Sequence, residues 1–161
     1  MREVTVIEAD LNDPRHQTAI LQLINAYARD PMGGGRDLPA AVRDRLIPGL
    51  RQHPTSLVFL AFDGVTPVGI AVCFLGFSTF AAQPLINIHD LAVMPDYRGR
   101  GIGRQLLERV GAKGRDLGCC KLTLEVREDN HRAQRLYQGF GFGDAPSEVG
   151  RVRHWFLQKR L

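Results

Sequence analysis

Between an apolar run, INIHDLAV, and an amphipathic one, RQLLERV, the chain carries DYRGRGIGRQ, three glycines and three arginines within the ten residues from Asp96 to Gln105. No other stretch restricts the fold as much. PLINIHDLAV reads as a strand, GRQLLERVGAKGRDLG has apolar residues at helical spacing and stops at Gly118, and CKLTLEV alternates as the next strand. A strand, a crossover helix and a strand in that order make a parallel pair. The glycine loop then sits at the carboxyl end of the first strand, where ligands bind in open α/β sheets.

Backbone N–H groups in such a turn can converge on an anion, and the start of the following helix adds unpaired donors and its dipole. A plain strand-to-helix turn seldom needs Gly99, Gly101 and Gly103 at alternate positions with Arg98, Arg100 and Arg104 around them. A Rossmann fingerprint requires a third glycine where Arg104 stands, and no Walker A sequence is present. Neither a dinucleotide cofactor nor ATP is therefore expected, and the loop is left as a seat for some other pyrophosphate.

The rest of the chain supplies the frame. EVTVIEA alternates as a strand, Asp13-Pro14 opens a helix over HQTAILQLINAYARD, PMGGGRDLP breaks it, and AAVRDRLIPGLRQ reads as a second helix. SLVFLAF and PVGIAVCFLGF are apolar runs joined by DGVTP, which predicts an antiparallel hairpin. NHRAQRLYQGF reads as a short helix and RVRHWFLQKRL as a final strand.

At 161 residues with 44% apolar and 24% charged residues, the chain fits one globular α/β (α+β) domain over residues 1–161. A mixed, mostly antiparallel sheet of about six or seven strands, flanked by about four helices, is expected. The start MREVTVIEAD lacks a signal-peptide core and no run is long enough to span a bilayer, so a cytoplasmic protein with no membrane partner is expected. Cys73, Cys119 and Cys120 fit neither a disulfide framework nor C-x-x-C metal spacing; they are expected to be reduced and buried, with no metal bound. The formal charge is +4, but the arginines are scattered and their tightest cluster is the glycine loop. An anionic ligand held there accounts for the basicity better than a nucleic acid spread over a face.

Two motifs carry a resemblance. LAVMPDYRGRGIG supplies Val93, Pro95, Arg98, Gly101 and Gly103 of an R/Q-x-x-G-x-G/A pattern preceded by V-x-P, and NHRAQRLYQGFGF supplies Asn130, Ala133, Leu136, Tyr137, Gly141 and Phe142 of N-x-x-A-x-x-L-Y-x-x-x-G-F. With CKLTLEV between them, the chain resembles the GNAT superfamily of acyl-CoA N-acyltransferases. IHDLAVMPDYRGRGIG is similar to its diamine (spermidine/spermine) acetyltransferase branch, except that His89 stands where that branch has a glutamate; Asp90 matches.

The resemblance implies an acetyl-CoA-dependent N-acetyltransferase acting on a small primary amine by direct attack, with no metal. Acetyl-CoA would lie with its pyrophosphate on Arg98, Gly99, Arg100, Gly101, Ile102, Gly103 and Arg104, and its pantetheine along Leu91, Ala92 and Val93, bonded by Asn130. Asn130 could instead serve as the N-cap of NHRAQRLY. Tyr137 would protonate the departing thiolate, or only pack against the sulfur. His89 is the preferred base, because its pKa suits proton transfer near neutrality; Asp90, expected to brace the loop, and Glu125 are the alternatives. Parity assigns His89 and Asp90 to opposite faces of the strand. The acceptor would meet YARDPMGGGRDLP, with Tyr27, Asp30 and Met32; Asp30 and Asp37 could draw a cationic amine, Arg36 could instead hold a carboxylate, and the alternative is a flexible surface loop with no ligand role. Phe74, Phe77 and Phe80 either wall the cleft or belong to the core. A protein N-terminal or lysine acetyltransferase and a non-catalytic acyl-CoA sensor are the alternative functions, and a homodimer is plausible by analogy alone.

Overall fold

The computed structural model describes residues 3–143 and 158–159. In chain order these form β1 (Val4–Glu8), α1 (Pro14–Arg29), α2 (Ala40–Gln52), β2 (Ser56–Asp63), β3 (Thr66–Ser78) and β4 (Gln83–Val93). A 3-10 turn (Pro95–Tyr97), α3 (Ile102–Asp116), β5 (Leu122–Leu124) and α4 (His131–Phe140) follow. The sheet runs β1-β2-β3-β4-β5, antiparallel up to β4 and parallel between β4 and β5. The expected α/β architecture is present, with five strands among the described residues. The final strand expected over 151–161 lies outside the described residues, but for 158–159.

Local chemistry sets the elements. The Asp13 carboxylate accepts the Arg15 backbone N–H at 2.8 Å and Pro14 occupies the first turn of α1, where a missing N–H costs nothing. Gly64, with φ of +61°, and Val65 close the β2–β3 hairpin. On one face of the sheet α1 and α2 lay Ala19, Ile20, Leu23, Ile47 and Leu50 over Val58, Leu60, Ile70 and Val72. On the other face Ile102, Leu106, Leu107 and Val110 of α3 pack on Phe59, Ala61, Ala71, Cys73 and Ile86.

β4 changes parity midway. Val72 of β3 pairs with Asp90 and the next residue, Cys73, pairs with Ile88, so His89 is an extra residue in β4. Ile86 and Ile88 pack towards α3, and beyond the bulge Leu91 and Val93 do so too, while Ala92 and Met94 turn towards α1. Asp90, opposite Val72, falls on the α1 face, and His89 reaches the same face, its ring 5.7 Å from that of Phe74. The alternation expected for His89 and Asp90 therefore does not hold, because a bulge inserts a residue without reversing direction.

β5 is shorter than CKLTLEV predicted. It pairs with β4 only at Ile86↔Leu122, Asn87↔Thr123 and Ile88↔Leu124, after which β4 runs on to Val93 without it. At the last turn before they part, the Asn87 side-chain amide donates to Thr123 Oγ1 at 3.0 Å.

Two other expectations are corrected. The β3–β4 hairpin extends past the last β2 pairing, at Phe74, and past the first β5 pairing, at Ile86. Phe77, 63% exposed, and Phe80, fully exposed, consequently stand outside the core. Cys73 is buried, but Cys120, one residue before the parallel ladder begins with Lys121 accepting from Ile86, is exposed.

The α3 seam carries a direct test. Leu106 is fully buried between α3 and the sheet, and Leu106→Ala is expected to lower unfolding free energy by about 2–5 kcal/mol in urea titration. An unchanged transition midpoint would show that α3 does not seat there.

Candidate active site

The loop after β4 is shaped by its glycines. Gly99 and Gly101 have φ of +76° and +78°, the left-handed region that other residues enter at a cost, and Gly101 is the N-cap of α3. No side chain caps that helix. The first-turn N–H groups at Ile102, Gly103 and Arg104 have no partner within the helix, and they point out at its positive end. Gly103 serves packing: a Cβ there would lie 2.9 Å from Leu136 Cδ2, so its absence lets α4 close on the start of α3.

The three arginines are held by the protein. Arg98 turns inward, donating from Nε to the Val93 carbonyl at 2.9 Å and from Nη2 to Asp30. Arg100 stacks 4.8 Å from the Tyr97 ring centroid and donates to the Asp96 carbonyl at 2.7 Å. Arg104 bonds Glu108 at 3.1 Å and the Gly139 carbonyl at 3.3 Å. Arg100 and Arg104 are exposed at the loop, and their charge adds to its positive field.

Beside the loop, the parting of β4 from β5 leaves the edge of His89–Val93 with no strand on the β5 side among the described residues. Leu91, Ala92 and Val93 form this edge. Asn130 N-caps α4, its Oδ1 accepting from the Ala133 N–H at 3.1 Å, so the capping role read from the sequence is filled. Its amide nitrogen is a separate donor.

Three acid-base groups from three elements share one electrostatic neighbourhood here. Burial raises the Asp90 carboxyl above the usual carboxylate range, and the nearby His89 partly offsets it. Burial raises the Tyr27 phenol, and the charges of Asp90 and Asp30 raise it further. Tyr137, buried on α4 with its ring 5.8 Å from that of Phe142, is pushed up to about 12 by burial and then by Tyr27. Cys73 is also raised to about 12, chiefly by burial. His89 is exposed, in an aromatic row with Phe74 and, 5.0 Å from Phe74, His53. Glu125, just past β5, is exposed.

The carboxylates around the loop after α1 are already paired. Asp30 binds Arg98, while Asp37 accepts from Arg29 Nε at 2.6 Å and from the Asn25 amide at 2.7 Å. Neither carboxylate is a bare anion. Met32 is half-buried and Arg36 is exposed, whereas Phe77 belongs to the projecting hairpin, paired with Pro84. A crevice between α1 and β4 is lined by Leu23, Tyr27, Ala92, Val93 and Arg98, and an open groove by Arg127, Glu128, Asp129 and His131.

Sequence reasoning passed over Asn87 and Arg127. A single amide inside the apolar run PLINI was the available signal for Asn87; Arg127, whose charge acts on Tyr27, had none. Among the described residues no group of three or more His, Cys, Asp or Glu side chains is placed to hold a metal, and no helix is long and apolar enough to cross a membrane.

Residues 20–142 match the family model described as Acetyltransferase (GNAT) family. The chain is 34% identical over 88 residues to thialysine N-epsilon-acetyltransferase of Bos taurus, covering 55% of this chain and 51% of that protein. It is 36% identical over 101 residues to N-alpha-acetyltransferase MAK3 of Arabidopsis thaliana, covering 63% and 50%. The chain thus spans about half the length of these curated relatives. Its fold overlays that of an aminoglycoside acetyltransferase from an uncultured soil metagenomic sample, solved with sisomicin, with a TM-score of 0.77 at 18% identity over 98% of this chain and 97% of the other. The glycine loop, the split sheet and the buried tyrosine of α4 are thus features of a chain that belongs to the GNAT family of acetyltransferases, whose acetyl donor is acetyl-CoA.

Proposed function

We propose that this chain transfers an acetyl group from acetyl-CoA to the primary amine of a small molecule by direct attack. The observation that carries the reading is the parting of β4 from β5 beyond Ile88↔Leu124, between an uncapped helix start and the buried Tyr137. The backbone from Gly99 to Arg104 suits a pyrophosphate, because the unpaired first-turn N–H groups lie at a helix N-terminus that no side chain caps. The edge from Leu91 to Val93 fits an extended arm. Bound there, acetyl-CoA supplies an acetyl group activated as a thioester.

The residues of this chain then manage protons. An alkyl ammonium with a pKa near 10.4 is neutral in only about one molecule in a few thousand at pH 7, and supplying the free base costs about 4–5 kcal/mol. We assign the acceptance of that proton to Asp90, directly or through water. The bulge sets Asp90 on the α1 face in the field of Tyr27, whereas His89, favoured by its intrinsic pKa, is exposed beside Phe74. Tyr137 keeps its proton at neutral pH, as its raised pKa requires, and donates it to the sulfur as charge develops. Asp30 and Asp37 are each matched by an arginine, which favours an acceptor of low positive charge over a polycation.

A panel assay following CoA release from acetyl-CoA with diverse amines, amino acids and peptides tests the function. Turnover of a small amine is expected; tight CoA binding with no acceptor turned over would leave a sensor, and turnover of peptides alone a protein acetyltransferase.

Tyr137→Phe should lower kcat by about 10²-fold or more with acetyl-CoA affinity preserved. Full activity would remove Tyr137 as the acid.

Asp90 works as a base only when ionised, so kcat/KM should rise with pH through its raised pKa, and Asp90→Asn should abolish that acid limb. If His89→Gln removes the limb and Asp90→Asn keeps it, the base is His89.

A further inference from the structure

Asp30 is a junction. Its N–H closes the last turn of α1 on the Ala26 and Tyr27 carbonyls. Its own carbonyl accepts from Gly33, Gly34 and Gly35 at 2.8, 3.1 and 3.2 Å, and its Oδ1 accepts from the Met32 N–H at 2.9 Å. The loop is pressed so closely on the helix end that a Cβ on Gly33 would lie 2.0 Å from the Tyr27 carbonyl oxygen. All of this is local, but Oδ2 reaches 68 residues along the chain to Arg98 Nη2, in a pair whose side chains are only 13% and 29% exposed. Arg98 in turn holds the Val93 carbonyl through Nε.

We propose that Asp30 is a positioning residue: through Arg98 it ties the loop 31–38, on the acceptor side, to the donor loop 98–104, so that occupation of one is felt at the other. The inference rests on the donor reading given above. Arg98 presents two N–H groups to separate structures, the Val93 carbonyl and the Asp30 carboxylate, so the end of β4, the glycine loop and the last turn of α1 share that single bracket. The pair is charge-assisted and half-buried, so it is stiffer than an exposed ion pair. The carboxylate that the sequence offers as a lure for a cationic acceptor is used instead to join the two halves of the site.

Asp30→Asn is the discriminating variant, because an asparagine oxygen can still cap Met32 while its amide cannot accept from Arg98. Coenzyme A alone is the probe, with its affinity measured by calorimetry and hydrogen exchange followed in peptides covering 31–38 and 98–104. In the wild-type chain CoA should slow exchange in both segments. In Asp30→Asn the affinity should stay within about threefold and the protection of 98–104 should persist, while that of 31–38 is lost. Asp30→Glu, which keeps the charge, should recover part of the protection at 31–38, separating a lost tie from a merely damaged fold. Protection of 31–38 that survives in Asp30→Asn, that is absent in the wild-type chain, or that Asp30→Glu does not restore overturns the coupling; so does an affinity loss beyond threefold, which would place the pair in the CoA seat itself. If wild-type protein does not bind CoA, the donor reading fails and the coupling fails with it.

Discussion

A strand that is paired on both sides for part of its length and on one side for the rest must leave backbone polar groups without partners, and everything around β4 answers to that constraint. Three residues of parallel ladder with β5 are followed by the bulged His89 and then by four, Asp90 to Val93, that pair with β3 and, among the described residues, with no strand on the other side. An unpaired edge inside a sheet costs free energy unless something hydrogen-bonds to it. The fold accepts that cost just before the turn that leads into α3. Asn87, clasping Thr123, fixes where the separation starts.

The bulge at His89 is the second consequence of building a site into a sheet. By rephasing β4 it keeps Leu91 and Val93 in the α3-side core while turning Asp90 to the face where Tyr27 lies. Without the extra residue, Ile86, Ile88 and Asp90 would share one apolar face, and a carboxylate would displace core. The same residue insertion that turns the Asp90 carboxyl to the α1 face therefore also preserves the packing on both sides.

Much of this was legible in the sequence. The strand, loop, helix and strand around DYRGRGIGRQ followed from periodicity and punctuation, as did α1 with its Asp13-Pro14 start and α2 over the span that AAVRDRLIPGLRQ predicts. The family followed from two motifs at their spacing, and the matched family bears it out. What stayed hidden were facts about pairing. A bulge leaves no mark on composition, so strand parity misassigned the faces of His89 and Asp90. The exposure of Phe77 and Phe80 depends on how far β2 and β5 extend, which their own residues do not reveal. Asp30 and Asp37 read as free carboxylates because the arginines that take them are, for Asp30, far away in sequence.

Among the described residues, β5 is joined to β4 by three register pairs, the Asn87–Thr123 clasp and the Cys120 N–H on the Pro84 carbonyl, a short seam along one wall of the cleft. A ligand that fills the gap and bonds its edge does for the native chain what a sixth strand would do, and does nothing for the unfolded one. Mass action then makes the ligand a stabiliser: at a hundred times its Kd it adds about 2.7 kcal/mol to the unfolding free energy. The persistence of the folded protein thereby becomes a readout of how much of that ligand surrounds it.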